Sequence, residues 1–185
     1  MSLLLCLDIS TKQTGWACGQ PGQPPEKTGV IPHPAEDLSE SSRFVYLSNA
    51  ILKVASDCGC GFVIFSEWNF MPTIVSARAN LGLRAVLMAD FNRVGIELLP
   101  VSEQQARKQV GVDQGRKLWP EEEDAQKKVK NKKRDMKYRV RFTLERMGLK
   151  YATDDEADAA VLLIAAPALV EIGDPQKPKP TPDPF

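Results

Sequence analysis

Ser2-Leu3-Leu4-Leu5-Cys6-Leu7-Asp8-Ile9-Ser10 is an apolar run dense enough to read as a buried strand, central in a sheet covered on both faces. Asp8 interrupts it where burial is most costly. A carboxylate at the end of a core strand needs compensation from a bound cation, a basic partner or a helix N-terminus. The elements that follow decide which of these is on offer.

After Asp8, the polar stretch Ile9 to Gly15 reads as a turn, and Gly15-Trp16-Ala17-Cys18 as a short strand returning beside the first. Gly19 to Lys27, rich in proline and glycine, is a second turn, and Thr28-Gly29-Val30-Ile31 a third strand, so the chain opens as an antiparallel meander. Leu38 to Ala55 places Phe44, Leu47, Ile51, Leu52 and Val54 at helical spacing. Phe62-Val63-Ile64-Phe65-Ser66 is another dense strand, and it too finishes on a carboxylate, Glu67. Strand, helix, strand implies a parallel right-handed crossover, which sets Glu67 near Asp8 at one edge of the sheet.

Ile74 to Val94 reads as a helix that is apolar nearly all round, hence deeply buried or packed on a second subunit as well as on its own sheet. Gly95 to Val101 is a further strand and Ser102 to Val110 a short helix. Composition then changes sharply. Between residues 127 and 141 the cations Lys127, Lys128, Lys130, Lys132, Lys133, Arg134, Lys137, Arg139 and Arg141 face a single acid, Asp135. From Arg134 on, Met136, Val140, Thr143, Leu144 and Met147 share one helical face, so this is a helix packed by one stripe and basic elsewhere. Such a run repels itself unless a polyanion is near, and nucleic acid is the partner it suits.

The last helix opens at Thr153-Asp154-Asp155-Glu156-Ala157-Asp158. Thr153 and Glu156 form a capping box, and the acids of the first turn suit the helix dipole. Asp155 and Asp158, at i and i+3, share a face. Ala159 to Ala165 is core-packing helix, and Pro167 is expected to end or kink it. Asp174 to Phe185 alternates proline with polar residues and reads as an extended, solvated tail.

With 185 residues, 43% hydrophobic and 26% charged, the chain suits one domain, residues 1–173, followed by the proline-rich tail 174–185. Lys and Arg together number 24 and Asp and Glu 24, because the acidic stretch Glu121 to Asp124 offsets the basic run. Total charge therefore says nothing about partners; distribution does. Four cysteines and one histidine exclude a dense disulfide framework, and their spacing matches no zinc-ligand pattern, so Cys58-Gly59-Cys60 reads as a turn with incidental thiols. No cationic segment precedes the apolar start, and the run from Ala157 to Ile172 is short for a membrane span and interrupted by Asp158 and Pro167. A cytoplasmic protein without a membrane partner is expected.

Asp8, Glu67, Asp155 and Asp158 thus come from three remote elements and all stand at strand or helix ends. The simplest reason is one shared site. Carboxylates so placed repel one another unless cations join them, and oxygen-liganded divalent ions supply that charge. Two Mg²⁺ ions roughly 4 Å apart would suit phosphodiester hydrolysis, which needs no histidine or cysteine. Taken singly, each acid has a plainer role: Asp8 could accept backbone hydrogen bonds, and Asp154, Asp155 and Glu156 could serve the helix dipole.

Taken in order, these segments resemble the RuvC-type Holliday junction resolvases of the ribonuclease H-like superfamily, from the first residue to about Pro167. Leu7-Asp8-Ile9-Ser10-Thr11-Lys12-Gln13-Thr14-Gly15-Trp16 is similar to the family's first strand and turn. Glu67-Trp68-Asn69-Phe70-Met71 is similar to its second motif, an acid followed three residues on by an aromatic. Arg84 through Val101 resembles its dimerisation helix and next strand, Ala106-Arg107-Lys108-Gln109-Val110-Gly111 its DNA-contacting segment, and Asp155-Glu156-Ala157-Asp158-Ala159-Ala160 its final acidic motif. The stretch Arg116 to Asn131, longer and more charged than in the bacterial housekeeping form, Trp68 and the proline-rich tail depart from it, and would suit a phage or prophage version.

The resemblance implies an α/β, ribonuclease H-like fold with a mixed five-stranded sheet flanked by helices. It implies a homodimer that nicks four-way DNA junctions symmetrically, with two Mg²⁺ or Mn²⁺ ions per active site held by Asp8, Glu67, Asp155 and Asp158. Phe70 would stack on bases at the branch, while Arg107, Lys108, Lys127, Lys128, Lys130, Lys132, Lys133, Arg134 and Lys137 would bind DNA. The rival readings are a nuclease of flaps or RNA–DNA hybrids, a junction-binding protein without catalysis, and an actin-like ATPase or sugar kinase, for which the chain is too short. The terminus Pro182-Asp183-Pro184-Phe185 resembles the tips of single-stranded DNA-binding proteins and could dock a protein partner.

Overall fold

A computed structural model describes residues 3–10, 12–34, 38–67, 74–112 and 132–170. The expected meander is present: β1 (Leu3–Ile9) pairs antiparallel with β2 (Gln13–Gly19), and β2 with β3 (Lys27–Pro32). Helix α1 (Glu40–Cys58) then crosses to β4 (Cys60–Glu67), which lies parallel to β1 on its other side. Helix α2 (Ile74–Arg93) leads to β5 (Glu97–Ser102), parallel to β4. The sheet order is β3-β2-β1-β4-β5, mixed and five-stranded, with β1 in the middle as its unbroken apolar run required. Three further helices complete the described chain: α3 (Glu103–Gln109), α4 (Lys132–Arg146) and α5 (Asp154–Leu169).

The two faces of β1 feed two cores. Leu5, Leu7 and Ile9 join Leu47 and Ile51 of α1 and Leu83, Leu87 and Phe91 of α2 on one side. Leu4 and Cys6 join Val140 and Leu144 of α4 and Val161, Leu162 and Leu163 of α5 on the other. Strand alternation puts Asp8 in register with Leu4 and Cys6, on the α5 face. Ser39 caps α1, and Gly59, at φ 66°, ends it in the left-handed conformation that turns Cys58 and Cys60 around the corner. No helix among the described residues is long and apolar enough to cross a membrane.

Two expectations are corrected. Pro167 neither stops nor ends α5, which runs on to Leu169. Proline cannot donate to the carbonyl four residues back, and here the Gly22 N–H takes that place, donating to the Leu163 carbonyl at 3.0 Å. The apolar stripe of α4 ends a turn early: Val140, Thr143 and Leu144 are buried but Met147 is 48% exposed, while Arg139 lies in the interior. Among the described side chains of α2, Leu83, Leu87 and Phe91 are buried, while Leu81 and Met88 lie in solvent.

Candidate active site

The parallel strands β1, β4 and β5 end at one edge of the sheet. The register Leu7 to Phe65 sets Asp8 beside Ser66, whose hydroxyl donates to Asp8 Oδ1 at 3.1 Å. One residue on, the Glu67 backbone pairs with Ser102 of β5. Ser102 is also the N-cap of α3, its hydroxyl accepting from the Gln105 N–H, so Glu103 emerges at this same edge.

Helix α5 comes down on the sheet from the other side, and a glycine lets it approach. Gly15 pairs with Asp8 across β1 and β2. A Cβ there would lie 2.1 Å from the Asp155 carbonyl oxygen, so the first turn of α5 rests directly on the strand backbone. The capping box forms as expected: the Glu156 N–H donates to Thr153 Oγ1 at 3.1 Å and the Thr153 N–H to Glu156 Oε2 at 2.9 Å. It fixes the phase of the helix, so that Asp155 and Asp158 are both buried against the sheet. The Gln13 side-chain amide donates to Asp155 Oδ2.

Asp154 turns the other way. It forms ion pairs with Arg141, Nε 2.7 Å from Oδ1, and with Lys137, Nζ 3.3 Å from Oδ2, tying α4 to the start of α5. Arg107, four residues beyond Glu103 on α3, pairs with Glu103 and reaches Asp158 Oδ1 at 2.9 Å.

The electrostatics follow from burial. The Asp8 carboxyl is pushed well above the ordinary carboxylate range by desolvation first, then by Asp158, Glu103 and Asp155, against the Ser66 hydrogen bond. Asp158 is raised by desolvation against the pull of Arg107 and Lys137, and Glu103 by desolvation against Arg107. The guanidinium is itself held more firmly protonated by Asp158 and Glu103 despite its burial.

Asp8, Asp155, Asp158 and Glu103 are therefore electrostatic neighbours with one close cation, Arg107, among them. Among the described residues no three of these acids converge within 4.8 Å; they are spaced around the guanidinium. An all-oxygen donor set in which neighbouring acids help to raise the Asp8 carboxyl is what a hard divalent cation would relieve. The residues present fit such an ion.

No protein-family model matches the chain, and no curated protein sequence matches it. Solved structures do. Thermus thermophilus RuvC in complex with a Holliday junction substrate superposes with a TM-score of 0.62 at 13% identity, covering 89% of this chain and 92% of that one. A second structure of Thermus thermophilus RuvC gives 0.63 at 13% identity, with 88% and 92% covered. The fold is the RuvC fold. The yeast mitochondrial Holliday junction resolvase Ydc2 is a more distant match, at 13% identity and a TM-score of 0.47, over 88% of this chain and 75% of that one.

On this ribonuclease H-like frame, the structure brings together three of the four acids singled out in the sequence, Asp8, Asp155 and Asp158. For Glu67 the backbone alone is described, at the same edge. Lys108 is exposed on α3 and Lys137 lies at the rim beside Asp154. Lys132, Lys133 and Arg134 are placed by their backbone at the start of α4. Phe70, Lys127, Lys128, Lys130 and the tail 174–185 lie outside the described residues.

Sequence reasoning missed Glu103 as a member of the acid group and missed the inward role of Arg107. The signal for Glu103 was present. Three parallel strands of this sheet are each followed or ended by an acid, at Asp8, Glu67 and Glu103. The last of these is easily passed over as an ordinary first-turn acid of a short helix.

Proposed function

We propose that the chain is a metal-dependent endodeoxyribonuclease that resolves four-way DNA junctions by paired nicks, one from each subunit of a homodimer. The observation that carries this is that Asp8, Asp155 and Asp158, from remote elements, stand as electrostatic neighbours on the α5 face at the carboxyl ends of the parallel strands. With Glu67 they would hold two Mg²⁺ or Mn²⁺ ions. Bound there, the ions supply an activated water and stabilise the leaving oxygen of the phosphodiester.

The chain's own residues position those ligands. Ser66 orients Asp8 and the Gln13 amide orients Asp155. Arg107, 2.9 Å from Asp158 Oδ1, holds that side chain in place. Lys108, Lys137 and the basic start of α4 line the approach, where they neutralise phosphates without reading sequence, so affinity falls steeply with salt. Phe70, three residues beyond Glu67, stacks on the bases of the opened branch. Exposed Leu81 and Met88 on α2, with Val45 and Tyr46 on α1, supply an apolar surface for the second subunit, opposite the acid face.

Cleavage of a labelled four-way junction, beside a matched duplex, a flap and an RNA–DNA hybrid, tests the reading. Junction-selective paired nicks in Mg²⁺ are expected, lost by about 10²–10³-fold in Asp8→Asn while junction binding persists. Preference for flaps or hybrids would keep the metal site and overturn the substrate. Tight junction binding without cutting in Mg²⁺ or Mn²⁺ would make the protein a junction-binding one.

A further inference from the structure

At the opposite end of β1 and on its opposite face, the fold gathers three cysteines that are scattered in sequence. Cys18 closes β2, Cys58 ends α1 and Cys60 opens β4. All three are buried, and their sulfurs lie within 4.8 Å of one another, with Cys18 Sγ and Cys60 Sγ 3.5 Å apart. The turn with incidental thiols expected from Cys58-Gly59-Cys60 is thus two thirds of a larger cluster.

We propose that Cys18, Cys58 and Cys60 form a binding site for one thiophilic d¹⁰ cation, Zn(II) or Cu(I), that clamps the end of α1 to β2 and β4. Three thiolates around one ion at about 2.3 Å have sulfurs about 4 Å apart, a spacing that fits sulfurs already within 4.8 Å of one another. Soft sulfur donors without imidazole or carboxylate in the group select Zn(II) or Cu(I) over the hard ions that suit the acids around Asp8.

A disulfide between Cys18 and Cys60 is the poorer use of these thiols. Cys18 and Cys60 sit on β2 and β4, which flank β1, so their backbones stand roughly 9 Å apart, beyond the ~7 Å a disulfide spans. Cys58 and Cys60 are separated only by the left-handed Gly59. An ion bridges such a gap because it adds two metal–sulfur bonds to the path. All four cysteines are free thiols.

Burial raises the Cys18 thiol, and holds that of Cys60 at about 11 against its hydrogen bond with Cys18. Uptake of a cation as thiolate ligands would therefore release protons from Cys18 and Cys60. The Glu26 N–H donates to the Cys18 carbonyl at 2.8 Å, which ties the turn after β2 to the cluster.

The test uses the full chain, reduced and stripped of metal, titrated with Co(II) as a spectroscopic probe. Zn(II) is added next, and Cu(I) in a separate arm against a chromogenic chelator. A thiolate-to-cobalt charge-transfer band that saturates at one equivalent is expected, bleached by one equivalent of Zn(II) or of Cu(I); the ion that does so identifies the occupant. Asp8→Asn and Cys6→Ala, which lie on the other face of β1, keep the band, and Cys58→Ala, at the least buried of the three positions, loses it. Absence of the band from the folded wild type overturns the proposal, without recourse to any variant. So does a band that survives both Cys58→Ala and Cys18→Ala.

Discussion

The two faces of the central strand carry opposite loads. Toward α1 and α2, Leu5, Leu7 and Ile9 join a largely apolar cluster, and burial there stabilises the fold directly. Toward α5, the row Leu4, Cys6, Asp8 begins in the same way and ends in a carboxylate that the fold pushes toward protonation. One face holds the protein together. The other stores unfavourable charge at its end, the pattern of a site whose chemistry needs charge more than the fold needs stability.

Four substitutions probe that contrast. Gly15→Ala has the largest expected effect, because its methyl would collide with the Asp155 backbone and not with a movable side chain. A loss of about 3 kcal/mol or more in denaturant unfolding is expected, together with loss of junction cleavage, since lifting α5 moves Asp155 and Asp158 from Asp8. Leu87→Ala, on the packing face, should cost about 3 kcal/mol through the cavity it leaves. Its folded fraction should cleave like the wild type.

Arg107→Ala removes the cation that pairs directly with Asp158 and Glu103, both largely buried. A loss of about 2–3 kcal/mol without metal is expected, much of it recovered in millimolar Mg²⁺. A loss that Mg²⁺ leaves unchanged would mean that Arg107 is only a packing cation.

Asp8→Asn should have the smallest effect on stability and the opposite sign. The folded state raises this carboxyl above its unfolded value, so ionisation at neutral pH works against folding. That destabilisation is absent below the unfolded carboxylate range and grows as pH rises through the raised folded value. Asp8→Asn should therefore be more stable than the metal-free wild type at pH 7, on the order of 1 kcal/mol, and the two should converge on mild acidification. Melting temperatures across pH, with chelator present, measure this.

How much of this was legible depended on whether the signal was local. The dense run ending in Asp8 announced the central strand, and Thr153 with Glu156 announced both the start of α5 and the phase that buries Asp155 and Asp158. The strand–helix–strand order placed β4 beside β1. What the sequence hid was set by partners far along the chain. Pro167 alone predicts a helix end, but the Gly22 N–H supplies the hydrogen bond that keeps α5 going. Arg107 reads as one more basic residue until α3 turns it onto Asp158, and Cys18 is unremarkable until β2 and β4 flank the same strand.

Calorimetric titration of the full chain with Mn²⁺, for the wild type, Leu87→Ala and Asp8→Asn, tests most directly the claim that the acid face of β1 is held ready for a cation. The wild type and the folded fraction of Leu87→Ala should bind with the same affinity, and Asp8→Asn should bind at least about tenfold more weakly. Equal binding by Asp8→Asn and the wild type would contradict it.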